Sequence, residues 1–281
     1  MRSALLLLAL AGCTSAAAAP SDAGTPDASD GGSFAKRGAV EVTAYSYPVG
    51  SHTFSGGSVG ASFVDATGFA SPACTTTHLG ACDLSLCGTT SDAGAPEPLA
   101  AGAVAVDGVT GGPLTLTPTG TAYVPVTSAA LLFAAGDALT ASAPGDPQGA
   151  PAFQRAVKAP SYVFVSEPPF PGTGPIGLDR TKDLPVVWSN GTIGTTVVTL
   201  SGAGFLLQCS AAASAGKLTV PAAALGNLPQ IAAAGAETFS VSTLMIDHRA
   251  AGSAGDWGID LRVTAVAARP GGTASAPLLL P

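Results

Sequence analysis

The stretch GDWGIDLRVTAVA, residues 255–267, indicates the fold class because its side chains alternate between apolar and polar. One side of an extended chain collects the apolar residues Trp257, Ile259, Leu261 and Val263. Asp260 and Arg262 fall on the other side. A period of two is the pattern of a half-buried β-strand.

Similar short alternating segments occur along the chain from about residue 36. They include GAVEVTAYSY (38–47), GPLTLTPTG (112–120) and LPVVWSNGTIGTTVVTL (184–200). Asn190-Gly191 separates two strand-like runs and predicts a β-hairpin. The best helical pattern is VPAAALGNLP (220–229), in which Pro221 opens a single turn and Gly226 closes it.

Many short strands separated by Gly- and Pro-rich turns predict an all-β protein built from one or two β-sandwich domains. The expected organisation is a leader over residues 1–12, a linker over 13–35, a sandwich over 36–160 and a second sandwich over 161–281. A single larger sandwich is the alternative. The segments RTKDLPVVWSNG, KLTVPAAAL and GDWGIDLRV resemble Ig-like sandwich domains of exported proteins over roughly residues 161–268, and this resemblance implies architecture alone.

The N-terminus carries the pattern of an export signal. Arg2 precedes the apolar run Ala4 to Ala11, which has the length of a signal-peptide core and is too short for a membrane-spanning helix. Leu10-Ala11-Gly12-Cys13 resembles the lipobox of bacterial lipoproteins. That resemblance implies cleavage before Cys13 and acylation of its sulfur and its new amino group, with Thr14 favouring the outer membrane.

Residues 14–33, TSAAAAPSDAGTPDASDGGS, contain no aromatic and no branched aliphatic residue and predict a flexible tether with a span of roughly 25 Å. Lipobox, Asp/Ala-rich tether and sandwich region together resemble uncharacterised lipoproteins of myxobacteria-like bacteria, which implies no activity. The chain has 11 Lys and Arg against 18 Asp and Glu and a net charge of −7. Without a basic footprint, nucleic acid is not an expected partner.

Four cysteines follow Cys13 and are expected to form disulfides in an oxidising compartment. If CDLSLC (82–87) is a strand, Cys82 and Cys87 lie about 17 Å apart and cannot pair. A hairpin turning near His78-Leu79-Gly80 places Cys74 opposite Cys82 and leaves Cys87 for Cys209. The rival hypothesis, zinc bound by Cys74, His78, Cys82 and Cys87, has spacings that match no standard zinc module.

Candidate catalytic groups are few. Gly56-Gly57-Ser58-Val59-Gly60 satisfies the G-x-S-x-G pattern of serine hydrolases, but the following residues predict a strand where that motif needs a helix. The histidines, His52, His78 and His248, are interpreted as residues of surface loops. Asp179, Asp183 and Asp256 show no informative spacing for a pair of catalytic carboxylates.

Tyr45 and Tyr47 fall on the same strand face as Glu41 and Thr43. They are either partly exposed, as in a polysaccharide-binding strip, or core residues of an edge strand, and the latter is the interpretation that the sequence favours. Trp188 and Trp257 lie within strong strand patterns and are expected in the core.

The sequence therefore predicts a lipid-anchored cell-envelope protein, at the outer membrane and either periplasmic or surface-exposed, with a structural, adhesive or protein-binding role. No catalysis, cofactor or metal is expected. The membrane, through the lipid, and another envelope protein or a polysaccharide are the expected partners. A hydrolase using Ser58, or a carbohydrate-active or polysaccharide-binding lipoprotein, is the alternative.

Overall fold

The fold is all-β, as the alternating segments predict. The computed structural model describes residues 34–67, 74–88, 95–172, 174–233, 235–251 and 256–281; the predictions for the leader, for Cys13 and for the tether up to residue 33 lie outside them. Helical structure in these residues is limited to a 3₁₀ turn, Ala213–Ala215, and one short helix, α1, Ala222–Gly226.

The strands are numbered in chain order. Their bounds are β1 Lys36–Val49, β2 His52–Asp65, β3 Cys74–Leu79, β4 Cys82–Cys87, β5 Glu97–Leu99, β6 Val104–Asp107, β7 Leu114–Leu116, β8 Pro118–Thr119, β9 Ala122–Tyr123, β10 Val126–Ser128, β11 Ala138–Ala143, β12 Phe153–Lys158, β13 Phe164–Glu167, β14 Ile176–Gly177, β15 Leu184–Ser189, β16 Thr195–Gly202, β17 Phe205–Ala212, β18 Lys217–Val220, β19 Thr238–Ala251, β20 Trp257–Val266, β21 Ala268–Arg269, β22 Gly272–Thr273 and β23 Ser275–Leu279.

One long sheet of twelve strands runs through both halves of the part of the chain that the structure describes. Its strand order is β10-β2-β1-β20-β19-β16-β17-β4-β3, and β5, β14 and β23 attach at its margins. β1 and β2 form a long antiparallel hairpin, while β1 pairs in parallel with β20, more than two hundred residues later in the chain. The pairing of β1 with β20 fixes the N-terminal part of the chain to the C-terminal part.

Each half of the long sheet covers a smaller sheet and encloses its own hydrophobic core. The inner faces of β1, β2 and β20 pack on the sheet β12-β11-β6-β7. The inner faces of β16, β17 and β4 pack on the sheet β18-β15-β13-β21-β22. Two sandwiches therefore lie side by side and share one sheet.

The two cores divide near residue 160, where the sequence places a domain boundary, but two strands cross that division. β20 supplies Trp257, Ile259 and Leu261 to the first core. β4 supplies Cys82 and Leu84 to the second. Each sandwich thus contains a strand from the other half of the chain: β20 packs in the first and β4 in the second.

Several local predictions are confirmed. The apolar face of residues 257–263 is fully buried, Trp188 and Trp257 are both core residues at 3% exposure, and α1 begins after Pro221 and ends at Gly226. The indole nitrogen of Trp188 donates to the carbonyl oxygen of Ala213 at 2.7 Å, which satisfies the buried N–H.

The hairpin predicted at Asn190-Gly191 is wrong. Asn190 adopts φ 68°, as a turn residue does, yet β15 and β16 on either side belong to different sheets. A Cβ on Gly191 would lie 2.2 Å from the carbonyl oxygen of Ala213, so close packing of the turn requires glycine there. The chain crosses from one layer of the second sandwich to the other at this turn.

All four described cysteines are in disulfides, but the predicted pairing is wrong. The bonds are Cys74–Cys87 and Cys82–Cys209. The β3–β4 hairpin turns at Gly80-Ala81, with Leu79 opposite Cys82, and this register sets Cys74 opposite Cys87. Cys82 then faces Cys209 across the β4–β17 pair, with Cα atoms 3.9 Å apart.

Candidate functional site

The β1–β2 hairpin extends beyond the strands that flank it. β20 accompanies β1 only as far as Tyr45, and β10 accompanies β2 only from Gly57 to Val59. From residue 46 to residue 56 the two strands pair with each other alone among the described strands, and they end at Val49 opposite His52. We call residues 46–56 the hairpin tip.

Three aromatic side chains line the outer face of the hairpin at and beside the tip. Val42 and Ala44 of β1 point into the first core, so Tyr45 and Tyr47, at the alternate positions, point outward. Phe54 of β2 lies directly opposite Tyr47. We call Tyr45, Tyr47 and Phe54 the aromatic strip.

The rings of the strip share one orientation. The centroids of Tyr45 and Tyr47 are 5.9 Å apart with an angle of 27° between the rings, and those of Tyr47 and Phe54 are 5.9 Å apart with an angle of 16°. Both tyrosines are half-buried, and Phe54 is 50% exposed. The neighbouring rings hold one another in place and leave apolar surface open to a ligand.

Gly56 makes room for the Tyr45 ring on the opposite strand. It lies opposite Tyr45, and a Cβ at this position would be 2.4 Å from the Tyr45 Oη and 2.9 Å from the carbonyl oxygen of Ser128. An aromatic ring that covers a glycine in the opposite strand is a known means of stabilising a β-hairpin. The absence of a side chain at Gly56 therefore lets the Tyr45 ring lie across β2.

Polar groups continue the outer face away from the tip. Thr43 and Ser58 form the next cross-strand pair, and Glu41 follows, with its carboxylate 3.4 Å from Arg262 of β20. Residues 45–56 include no Lys, Arg, Asp or Glu. The aromatic strip therefore contains no Lys, Arg, Asp or Glu.

The opposite face of the hairpin lines a pocket at the junction of the two sandwiches. Ser46 and Pro48 contribute from β1, and Tyr162 and Phe164 are among the residues that contribute from the other side, around a volume of about 280 Å³. The Tyr162 hydroxyl donates to the carbonyl oxygen of Phe133 at 3.1 Å, and burial raises the pKa of this phenol. These contacts give Tyr162 a structural role between the sandwiches.

Tyr45 and Tyr47 are partly exposed on a strand that has a neighbour on each side. β1 lies between β2 and β20 and is not an edge strand, and neither tyrosine belongs to a core cluster. The interpretation as core residues of an edge strand is therefore wrong, and partial exposure is observed. The sequence alone gives no signal for Phe54, because only the hairpin register, set by the turn at Gly50-Ser51, places it beside Tyr47.

Ser58 does not occupy a nucleophile elbow. It lies within the strand β2, opposite Thr43 on one side and Thr127 on the other. The G-x-S-x-G motif of hydrolases depends on a strand-to-helix turn that exposes the serine. The strand at residues 56–60 does not provide that turn.

The three candidate carboxylates each have a local structural partner. Asp179 accepts hydrogen bonds within its own turn, and the ammonium of Lys182, 2.8 Å away, together with Thr181 holds the pKa of Asp179 well below its usual range. Asp183 accepts from the backbone N–H of Ala222 at the start of α1, and Asp256 lies 3.7 Å from Lys36.

The histidines lie on strands, contrary to the interpretation as loop residues. His78 contacts Asp83 across the β3–β4 pair at 2.5 Å, and His248 contacts Asp260 across the β19–β20 pair. The four disulfide-bonded cysteines leave no thiolate in this region for the zinc hypothesis. Within the described ranges, no group of three or more His, Cys, Asp or Glu is arranged to hold a metal ion.

No known protein family and no curated protein sequence matches the chain. Among solved structures, it is similar to a chain from work on host cell surface retention of a 1.5-MDa bacterial ice-binding adhesin, with 11% identity and a TM-score of 0.18. The match covers 84% of this chain and 65% of that one. A TM-score of this size does not indicate a shared fold.

The disulfides indicate an extracytoplasmic protein, because such bonds form and persist in oxidising compartments. In the part of the chain that the structure describes, no helix has the length and apolar character needed to cross a bilayer.

Proposed function

We propose that this chain is a lipid-anchored protein of the bacterial outer membrane with an adhesive role and no catalytic activity. The observation that carries the proposal is the position of the aromatic strip, which lies far along β1 from the point where the chain enters the fold. The outward-facing rings form the contact surface.

The length of β1 sets the separation between the anchor and the contact surface. Phe34 packs beside His248 where the chain enters the fold, and Lys36 begins β1. Thirteen steps of about 3.3 Å separate Lys36 from Val49, so the end of the hairpin lies roughly 43 Å from the entry point. A chain held through residues 14–33 at its entry end presents the strip at the opposite end.

The lipobox-like sequence ending in Cys13 supports the anchor. Acylation of the Cys13 sulfur and amino group supplies more than one hydrocarbon chain, which stable membrane attachment requires. The disulfides support export across the inner membrane. Thr14 favours the outer membrane by the sorting pattern of the lipoproteins that the N-terminus resembles.

Two measurements on a Gram-negative host that produces the full chain test this proposal. Metabolic labelling with an alkynyl palmitate is expected to label the wild-type chain and to spare a Cys13→Ser variant. Protease treatment of intact cells is expected to degrade the wild-type chain while a periplasmic control protein survives. An unlabelled wild-type chain would refute the anchor, and full protection from protease would refute the adhesive role.

A further inference from the structure

We infer that the aromatic strip binds a neutral polysaccharide, with the C–H faces of its pyranose rings stacked on Tyr45, Tyr47 and Phe54. This inference rests on the proposed adhesive role and names the class of partner that the contact surface takes.

The size of the strip favours a linear ligand over a folded protein. A fully buried aromatic side chain covers about 150–250 Å², and two of the three rings here are already half-buried. Phe54 is 50% exposed and both tyrosines are less exposed than that, so the surface that remains is at most roughly 250 Å², whereas a stable protein interface takes about 800 Å² from each partner. A single chain of sugar rings laid along the hairpin needs only a narrow surface of this kind.

The charge around the strip favours a neutral ligand. Residues 45–56 include no Lys, Arg, Asp or Glu, and Arg262 of the neighbouring strand β20 contacts Glu41 at 3.4 Å and Asp260 at 3.6 Å. Single-stranded nucleic acid also stacks on aromatic rings, but its phosphates require a basic groove. With a net charge of −7, the chain gives an anionic polymer no electrostatic attraction.

The chemistry of the strip fits a sugar. Aromatic faces carry negative charge density, which attracts the weakly positive C–H face of a pyranose. The phenol groups of Tyr45 and Tyr47 and the hydroxyls of Thr43 and Ser58 lie on the same face of the hairpin and can exchange hydrogen bonds with sugar hydroxyls. Apolar stacking and hydroxyl partners therefore lie together on one surface.

The position of the strip argues against the cell's own lipid surface as the occupant. The chain enters the fold at the Lys36 end of β1, and Phe54 lies near the other end. A lipid anchor on Cys13 is tethered to the Lys36 end, so the strip lies at the end of β1 remote from the anchor.

Affinity electrophoresis of the purified mature chain, which begins at Cys13, tests the inference. Native gels contain one soluble neutral polysaccharide each, chosen from hydroxyethyl cellulose, laminarin, galactomannan and dextran, with alginate as an acidic comparison. At least one neutral polymer is expected to retard the wild-type chain, and alginate is expected not to. Phe54→Ala and Tyr47→Ala are each expected to weaken that binding about tenfold or more, because each removes one stacking ring.

Two control variants make the result specific. Tyr47→Phe keeps the ring and is expected to keep most of the binding, and Val124→Ala, at a residue 71% exposed elsewhere on the surface, is expected to keep all of it. Thermal melting of each variant checks that the fold is intact. Wild-type mobility unchanged by all four neutral polymers, or retardation unaffected by Phe54→Ala and Tyr47→Ala, would overturn the inference.

The failure of this inference can be told apart from the failure of the proposed function. If no neutral polysaccharide retards the wild-type chain while Phe54→Ala abolishes its attachment to intact cells, the polysaccharide is refuted and the adhesive role stands. If Phe54→Ala changes neither the retardation by a neutral polysaccharide nor the attachment to intact cells, the polysaccharide and the adhesive role of the strip are both refuted.

Discussion

Tyr47 and Phe54 face each other across the β1–β2 hairpin, with ring centroids 5.9 Å apart and only 16° between the rings. Cross-strand aromatic pairs contribute to the stability of a hairpin. This pair lies on the outer face beyond the last paired residues of the flanking strands, so the same contact stabilises the tip and shapes the surface that it offers to a ligand.

Replacing Gly56 with alanine is expected to damage the strip. The new Cβ would lie 2.4 Å from the Tyr45 Oη and 2.9 Å from the carbonyl oxygen of Ser128, so the ring or the backbone has to move. We expect a loss of about 1–3 kcal/mol in the free energy of unfolding, measured by urea denaturation. Gly60→Ala is the matched control in the same strand, since the nearest atom to a Cβ built at Gly60 is Cγ of Pro125, 4.0 Å away. Equal stabilities for the two variants would show that Gly56 does not constrain Tyr45.

Arg155 connects the two layers of the first sandwich. Arg155 lies on β12 and is 7% exposed. Its guanidinium donates hydrogen bonds to the carbonyl oxygens of Ile259 and Arg249, each at 3.0 Å. Arg155→Met leaves the buried carbonyl of Ile259 and the partly buried carbonyl of Arg249 without these donors and is expected to lower the free energy of unfolding by about 2–4 kcal/mol.

The control for Arg155→Met is Arg262→Met. Arg262 lies on the outer face in partly exposed ion pairs, which are worth about 1 kcal/mol or less. Urea denaturation of both variants distinguishes the two positions. A larger loss for Arg262→Met than for Arg155→Met would contradict the structural role of Arg155.

The two disulfides are expected to differ in their contributions to stability. Cys82–Cys209 joins residues 127 positions apart, and Cys74–Cys87 joins residues 13 positions apart. Closure of a longer loop removes more entropy from the unfolded chain. Replacing Cys82 and Cys209 by alanine is therefore expected to lower the free energy of unfolding by about 5 kcal/mol, and replacing Cys74 and Cys87 by about 3 kcal/mol. Urea denaturation of both double variants tests the order, and an equal or larger loss for the Cys74–Cys87 variant would contradict it.

The order of reduction is expected to be the reverse of the order of stabilisation. Cys82 and Cys209 are fully buried in the second core, while Cys74 and Cys87 are partly exposed. Reaction with a low concentration of dithiothreitol, quenching with iodoacetamide and peptide mass spectrometry are expected to find Cys74 and Cys87 alkylated first. Simultaneous alkylation of all four would indicate that the second core opens as readily as the hairpin.

The alternating strands were predictable because burial of one face imposes a period of two on the sequence. The segment at 257–263 shows this directly, and Val40, Val42 and Ala44 of β1 follow the same rule. That β1 pairs in parallel with β20 has no local signal, since no turn connects them. The alternation therefore predicts strands, while the shared long sheet depends on contacts distant in sequence.

Turn residues locate a change of direction but do not say which strands pair. Asn190-Gly191 is a turn, yet it leads from one sheet to another. In the β3–β4 hairpin, the predicted turn at His78-Leu79-Gly80 differs slightly from the observed turn at Gly80-Ala81. The observed register moves the residue opposite Cys74 from Cys82 to Cys87 and so exchanges the partners of the cysteines.

Attachment of the purified mature chain to intact cells tests the role of the aromatic strip most directly. Fluorescently labelled wild-type, Phe54→Ala and Val124→Ala chains are mixed with cells that lack the protein, and the bound fraction is measured by flow cytometry. We expect the wild-type and Val124→Ala chains to bind equally and Phe54→Ala to bind at least about tenfold more weakly. Equal binding of all three folded chains would contradict it.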